Sequence, residues 1–393
     1  MFNQSKPIIL FVSAVHPYPP YGGDRIRCYN LIDSLCQNFN VVVLAPKTSS
    51  KCELIKKVHD WYALPKHTNL PILKERSNAY YLLMEDPVWN KCLKSVCQKY
   101  QPKVAWFEYG YWGQYVPIVR GFGTCTILGT QNIQSELTKQ QLNSTLSGLK
   151  YLSNWVYHQT EFLHEHTMFR RFDRIVSVSE SDQQYHSKFV VSSHSKLVPN
   201  YINEACYKNK NQAKAVQDNI VIFTANFNNF QNKIGTNWLV REVWPIVRQK
   251  ISSASLYLVG HHSENIFPKT KKPVGVTCIS KVSSIVPHLQ RAKVAVVPIF
   301  HGSGTRLKVL EALACSIPIV STTLGVEGIK VIPGQSVLIA DSSESFAQSI
   351  IELLSNNIKR ERLSQNGLSV LINDYSFEVN TNRIQKIVDE LIC

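Results

Sequence analysis

The sequence predicts an α/β protein built from two doubly wound, Rossmann-like domains facing each other across a cleft. Three observations carry this prediction. The chain has 393 residues, more than one ordinary core accommodates and suited to two domains of roughly 180 residues each. Short β-branched apolar runs alternate with longer amphipathic segments in both halves, which is the pattern of parallel βαβ units. Between the halves lies "NYINEACYKNKNQAKAVQDN", a polar, Asn- and Lys-rich stretch without a sustained period. The expected boundaries are 1–199 for the first domain, 200–218 for a linker, 219–375 for the second domain and 376–393 for a terminal helix packing back near the first.

In the first half, strands are expected at Pro7–Val15, Phe39–Ala45, Val104–Tyr109, Cys125–Leu128, Arg174–Ser179 and Lys196–Pro199. After the first strand, Asp24 is placed to cap a helix carrying Ile26, Leu31, Ile32 and Leu35 on or near one face. The second half repeats the rhythm, with strands at 219–226, 254–260, 274–279, 293–299, 317–322 and 336–340. In the terminal segment, Val379, Ile384, Ile387, Val388 and Leu391 recur at helical spacing.

Composition narrows the class. Hydrophobic residues at 44% and charged residues at 18% fit a folded globular chain. A formal net charge of +15 implies an anionic partner or surface, or serves solubility alone; it does not choose between nucleic acid, anionic lipid and phosphorylated small molecules. The sequence holds no nucleic-acid recognition module or basic repeat, so nucleic acid is not an expected partner. The ten cysteines form no CxxC pair, and Cys125, Cys278 and Cys315 sit in apolar runs where a thiol acts as a small hydrophobe. A reducing cytoplasm is therefore the expected compartment. The run Pro7–Val15 lacks the basic leader and cleavage site of a signal peptide, and no stretch approaches the roughly 18 apolar residues of a membrane span.

Open sheets of this kind bind ligands beyond the carboxyl ends of their strands. The most informative such place is "VAVVPIFHGSGTRLKVLEALACSIPIVSTTLGVEGI", Val294 to Ile329. A strand ends near Ile299, the small residues Gly302, Ser303 and Gly304 form a loop, and a helix begins near Thr305 with Leu307, Leu310 and Leu313 on a buried face. Free backbone N–H groups and the positive end of that helix make a ready diphosphate site. Arg306 and Lys308 add cationic donors beside it. Glu311 lies almost two turns into the same apolar helix, where a carboxylate needs a partner, and ribose hydroxyls would supply one.

This stretch strongly resembles the nucleotide-binding motif of GT-B glycosyltransferases of the large retaining family four, the glycosyl transferases group 1, in the bacterial branch carrying "GSGTRLKVLEA". "HPYPPYGGDRIR", "RIVSVSESD", "VPNYIN" and "FTANFNNFQNKIGTNWLVREVWPIV" resemble further segments of that family in the same order. The resemblance implies a sugar nucleotide held mainly by the second domain, an acceptor held mainly by the first, transfer with retention, and no bound metal. By the match, Glu311 would bind ribose, Gly304 and Thr305 would approach the diphosphate or sugar through their backbones, and Gly22 and Gly23 would let the first domain's loop come close to the phosphates. Cationic side chains and the helix dipole would then stabilise the leaving diphosphate.

The chain departs from the family pattern at three places. Ser303 stands where the family's first motif glutamate falls. Asn226 and Gln231 stand where many members carry Arg and Lys, with Lys233 as a stand-in. Gln131 in "GTQNIQSE" stands where relatives often place a catalytic-site histidine; a glutamine hydrogen-bonds a hydroxyl but does not titrate.

Other residues carry two readings each. His16 either reaches the cleft or is structural. Glu108, ending a strand beside Tyr109 and Tyr111, either touches the acceptor or does not. Ser179 and Glu180, with Asp182, are expected to cap a helix. His261 and His262 lack a third metal ligand at sensible spacing. "KERSNAYYLLMEDPVWNKCLKSVCQKY" reads either as a surface helix touching anionic lipid or as a helix packed on the core. The sequence thus predicts a cytoplasmic, soluble or peripheral transferase using a UDP- or GDP-sugar, with a glycan or lipid-linked acceptor. The alternative is a GT-B-like protein that binds a nucleotide sugar with little or no catalysis, favoured by Ser303 and Gln131.

Overall fold

The computed structural model describes residues 6–20, 22–47, 52–64, 86–108, 110–143, 148–207, 219–267, 273–302 and 305–392. The chain divides into two units, Met1–Asn200 with Asn380–Cys393, and Tyr201–Val379.

In chain order the first unit contains β1 (Ile8–Ser13), α1 (Gly23–Asn38), β2 (Asn40–Pro46), α2 (Leu54–Lys57), β3 (Asp60–Leu64), α3 (Pro87–Tyr100) and β4 (Val104–Glu108). It continues with α4 (Val116–Arg120), β5 (Cys125–Gly129), α5 (Gln134–Asn143), α6 (Leu149–Phe169), β6 (Arg174–Ser177), α7 (Glu180–His186) and β7 (Ser195–Leu197). The strands form one sheet in the order β3-β2-β1-β4-β5-β6-β7, parallel throughout. Parallel strands covered on both faces read as continuous apolar runs, and Ile9 to Val12 and Val41 to Ala45 are buried without interruption.

The helices start where local chemistry allows. The Asp86 carboxylate accepts from Val88 N–H, with Pro87 in the first turn of α3, and Ser179 accepts from Asp182 N–H at α7 as the sequence predicts. Helix α1 differs: Gly22 is its N-cap and makes no side-chain cap bond, while Asp24 lies in the first turn. There the carboxylate complements the helix dipole instead of capping. Helix α3 buries Trp89, Leu93, Val96 and Cys97, and Trp89 meets Trp112 edge-on with ring centroids 4.8 Å apart. For residues 87–100 the core-packed reading therefore holds; the part of that segment at 74–85 lies outside the described residues. Each buried aromatic of this kind contributes about 1.5–3 kcal/mol.

The second unit contains β8 (Ile220–Thr224), α8 (Phe230–Trp238), α9 (Trp244–Lys250), β9 (Ser255–Val259), β10 (Val276–Ile279), α10 (Val286–Leu289) and β11 (Val294–Val297). After them come α11 (Leu307–Ala314), β12 (Ile319–Ser321), β13 (Leu338–Ile339), α12 (Ser343–Ser355) and α13 (Asn357–Val370); the last helix, α14 (Phe377–Ile392), belongs to the first unit from Asn380 onward. The second unit's strand order is β10-β9-β8-β11-β12-β13, again parallel.

The stretch expected as a linker is partly packed. Tyr201 and Ile202 are both 1% exposed, and Ile202 bridges Ser376 within the second unit. The rest of it, 208–218, lies outside the described residues. At the other end, Glu390 of α14 pairs with Lys196 at 2.8 Å and Arg174 at 3.4 Å, and Thr381 Oγ1 donates to Ser34 Oγ at 2.8 Å. These contacts place the terminal residues with the first unit.

Candidate functional site

Counted within its own unit, the second sheet has the order 3-2-1-4-5-6, so the direction in which successive strands are added reverses between β8 and β11 while all strands stay parallel. Loops leaving two such neighbouring strands diverge and open a crevice at their carboxyl ends. The loop after β8 carries Asn226, and the segment after β11 carries Gly302, Thr305 and Arg306. Ser303 and Gly304, expected in the same loop, lie outside the described residues. Gly302 has φ +100°, a backbone conformation that favours glycine. The site tolerates little bulk beneath it: a Cβ on Gly235 of α8 would collide with the Pro298 carbonyl oxygen.

Helix α11 begins at Leu307, two residues later than the sequence predicts, with Arg306 as its N-cap. Arg306 is half-buried and lies beside the loop, since a Cβ on Gly302 would sit 3.5 Å from its guanidinium. Burial lowers its pKa.

Lys308 takes a direction the sequence does not reveal. It does not project outward. Its Nζ donates to Asn232 Oδ1 on α8 at 2.9 Å and lies 4.6 Å from the centre of the Phe223 ring on β8. Desolvation pushes its pKa down to about 7, with repulsion from Arg306 adding and the nearby Glu311 charge opposing. Asn232 in turn donates through Nδ2 to the Asn226 carbonyl at 2.8 Å. One lysine thereby fixes the loop after β8. Asn226 is exposed, with its Oδ1 accepting from Asn228 N–H at 3.1 Å. Lys233 is also exposed and donates to Asn228 Oδ1 at 3.2 Å.

Glu311 is 8% exposed. Its Oε1 accepts a hydrogen bond from the Tyr207 hydroxyl at 3.3 Å. Burial raises its pKa to about 7, while the Tyr207 bond and the Lys308 charge pull it back. A carboxylate, an arginine at a helix N-cap and a lysine are thus gathered on one helix beside the crevice. Such a set can neutralise an anion at the helix start and accept hydrogen bonds from hydroxyls one turn deeper. Asn232 and Tyr207 are the members that the sequence reading missed; Tyr207 is 104 positions from its partner.

The remaining expected residues lie in the first unit. There the sheet reverses between β1 and β4. Gly22, with φ +100°, and Gly23 are exposed where the loop after β1 enters α1. Glu108, at the end of β4, is not a surface group. Arg27 Nε donates to its Oε1 at 2.7 Å with both side chains fully buried, and Trp106 Nε1 donates to its Oε2 at 2.9 Å. Arg27 Nη1 also donates to the Val198 carbonyl at 3.0 Å. The reading of Glu108 as an acceptor contact gives way to a structural ion pair, because both carboxylate oxygens are taken by interior donors. Gln131 is half-buried, with Nε2 3.5 Å from Glu108 Oε1.

The Gln131 loop is held from behind. Glu165 of α6 accepts from Gln134 N–H at 2.8 Å and Ser135 N–H at 3.1 Å, capping α5. One turn earlier, Glu161 accepts from the Tyr111 hydroxyl at 2.6 Å, and burial pushes its pKa to about 7. His16 is partly buried and accepts from Tyr18 N–H at 3.2 Å. His261 and His262 are exposed, and among the described residues no group of three His, Cys, Asp or Glu could hold a metal ion. No helix among the described residues is long and apolar enough to cross a membrane.

Residues 218–356 match the family model described as Glycosyl transferases group 1. A protein from the cps region of Klebsiella pneumoniae is 24% identical over 163 residues; the alignment covers 39% of this chain and 42% of that protein. Among solved structures, a sucrose-phosphate synthase from Thermosynechococcus elongatus superposes with a TM-score of 0.73 at 17% identity, covering 98% of this chain and 99% of that one. HepE from Anabaena, solved in complex with UDP and glucose, gives a TM-score of 0.69 at 11% identity over 98% and 100% of the two chains. Two parallel-sheet Rossmann-like units, superposable almost end to end on these structures, give the chain the fold of the GT-B glycosyltransferases, and its second unit carries the match to group 1 of that class.

Proposed function

We propose that the protein transfers a sugar from a nucleoside-diphosphate sugar, with UDP or GDP as the leaving group, to a glycan or lipid-linked acceptor. The observation that carries this reading is the set Arg306, Lys308 and Glu311 on α11, beside the point where the second sheet reverses. In this account Arg306 and the backbone N–H groups at the start of α11 hold the diphosphate, and Glu311 accepts from the ribose. Lys308 acts through its charge and through Asn232, which keeps the β8 loop in place. Asn226, Lys233, Gly302 and Thr305 stand on the segments after β8 and β11 that flank this helix start; Ser303, Gly304, Gly22, Gly23 and Gln131 are candidates on the sequence alone.

Charge that develops on the leaving diphosphate is met by pre-placed cations and a helix N-terminus, so the reading calls for no bound metal. Retention of configuration follows from the family resemblance. A cytoplasmic location, peripheral at an anionic membrane face, fits the net charge of +15. The UDP complex of the HepE neighbour supports a nucleotide donor, and the cps-region relative supports a place in polysaccharide assembly.

A second reading, nucleotide-sugar binding without turnover, is favoured by one observation. Gln131 cannot titrate, and the carboxylate that its amide meets, Glu108, is locked to Arg27. Incubation with a panel of UDP- and GDP-sugars, with detection of released nucleoside diphosphate, separates the two. Release with or without an added acceptor supports transfer. Binding without release supports the second reading, and absence of both removes the nucleotide-sugar site.

A further inference from the structure

The carboxylate of α11 is held by a residue from a distant part of the chain. Tyr207 ends the short turn Glu204–Cys206, and its hydroxyl donates to Glu311 Oε1 at 3.3 Å. The turn is itself fastened. The Gln290 side-chain amide donates to the Tyr207 carbonyl at 3.0 Å. The Glu204 carboxylate accepts from Phe377 N–H at 3.2 Å, and Ile202 N–H donates to the Tyr375 carbonyl at 3.3 Å. A phenylalanine would fill the same space, so the one thing the tyrosine adds is a hydroxyl on Glu311. The bond is long for an O–H donor, enough to orient the carboxylate without blocking it.

We propose that Tyr207 is a positioning residue for nucleotide binding: its hydroxyl occupies one oxygen of Glu311 and turns the other toward the ribose hydroxyls of a nucleoside diphosphate. This rests on the nucleotide-sugar reading given above. A carboxylate offers about four acceptor sites on two oxygens, so one internal donor leaves room for a ligand's hydroxyl. The bond also favours the charged form, because a donor stabilises the anion and not the neutral acid. The groups facing Glu311 are Lys308, which likewise favours the anion, Tyr207, and Cys315, one turn on, whose own thiol is pushed up to about 12 by burial and by the glutamate. Without the hydroxyl, more of Glu311 is neutral near pH 7, and a neutral carboxyl is the poorer acceptor.

The test is calorimetric titration of the full chain with UDP, and with GDP, between pH 6 and 9. Wild type, Tyr207→Phe, Gln290→Ala and Glu311→Gln are compared, each checked for an unchanged melting profile. Tyr207→Phe is expected to weaken binding roughly three- to tenfold at pH 7, to shift the acidic limb to higher pH, and to recover most of the loss at pH 8.5. Gln290→Ala, which frees the Tyr207 carbonyl, is expected to give a smaller shift in the same direction and serves if the first variant does not fold. Glu311→Gln is expected to lack the limb. Wild-type affinity and pH profile in folded Tyr207→Phe, or in Gln290→Ala if Tyr207→Phe does not fold, would overturn the role of Tyr207 and leave the donor site standing. A wild type that binds neither nucleotide would overturn the donor site itself, and this inference with it.

Discussion

Lys308 Nζ donates to Asn232 Oδ1 at 2.9 Å, tying the helix after β11 to the helix after β8. The two residues are 76 positions apart, and their bond spans the gap where the second sheet reverses direction. A lysine placed this way pays desolvation to hold a loop and to keep positive charge under the crevice, and both consequences are measurable.

Lys308→Met should stabilise the protein in the absence of ligand while weakening nucleotide binding. The pKa of Lys308 is lowered in the folded state, to about 7 from 10.5. Its destabilising effect is therefore full below about pH 7 and fades as pH rises toward the unfolded value. The variant should gain about 1–3 kcal/mol at pH 6 and less at pH 9. Thermal melts at the two pH values check the sign; a variant stabilised more at pH 9 contradicts it.

Nucleotide affinity should peak near pH 7. Glu311 is raised to about 7 from 4.5, so below that pH it takes up a proton and loses acceptor capacity. Lys308 loses its charge above about 7. The pair titrates together, and affinity should fall by up to roughly tenfold per pH unit on either side. A flat profile from pH 5.5 to 9 would separate both groups from the ligand.

Arg27→Ala should destabilise the first unit by about 3–5 kcal/mol, because Glu108 is then left fully buried without its ion-pair partner. Denaturant unfolding followed by the first unit's tryptophans measures this. A loss under 1 kcal/mol would mean that water reaches the pair.

Gly129→Ala should destabilise by about 1–3 kcal/mol through overpacking. Its Cβ would run into the Glu108 carboxylate, which Arg27 and Trp106 hold in place. A neutral effect in the same unfolding experiment would show that Glu108 has room to move.

The parts of this fold that the sequence reveals are those written in contiguous residues. Ile9 to Val12 and Val41 to Ala45 are buried strands because they are apolar runs, and all twelve expected strands correspond to strands of the two sheets. The thirteenth, β3, was not legible. "DWYAL" is five residues at a sheet edge with only Leu64 buried, so it carries neither a long apolar run nor alternation. The site divides along the same line. Gly302, Arg306 and Glu311 fall within ten residues, and their spacing on a helix start speaks for itself. The partners of Glu108, Glu311 and Lys308 are 81, 104 and 76 residues away. Nothing local distinguishes Arg27 from a solvated arginine or Tyr207 from a packing aromatic, so the direction of each charged side chain became visible only in three dimensions.

The central claim is that α11 of the second unit holds a nucleoside diphosphate through Glu311 and the helix start. Equilibrium binding of UDP and GDP to the wild type and to folded Glu311→Ala tests it most directly. Wild type is expected to bind one of the two, and the variant to bind it about 1–3 kcal/mol more weakly, through lost hydrogen bonds to ribose. Equal affinity of the two proteins, or no binding by wild type, would contradict it.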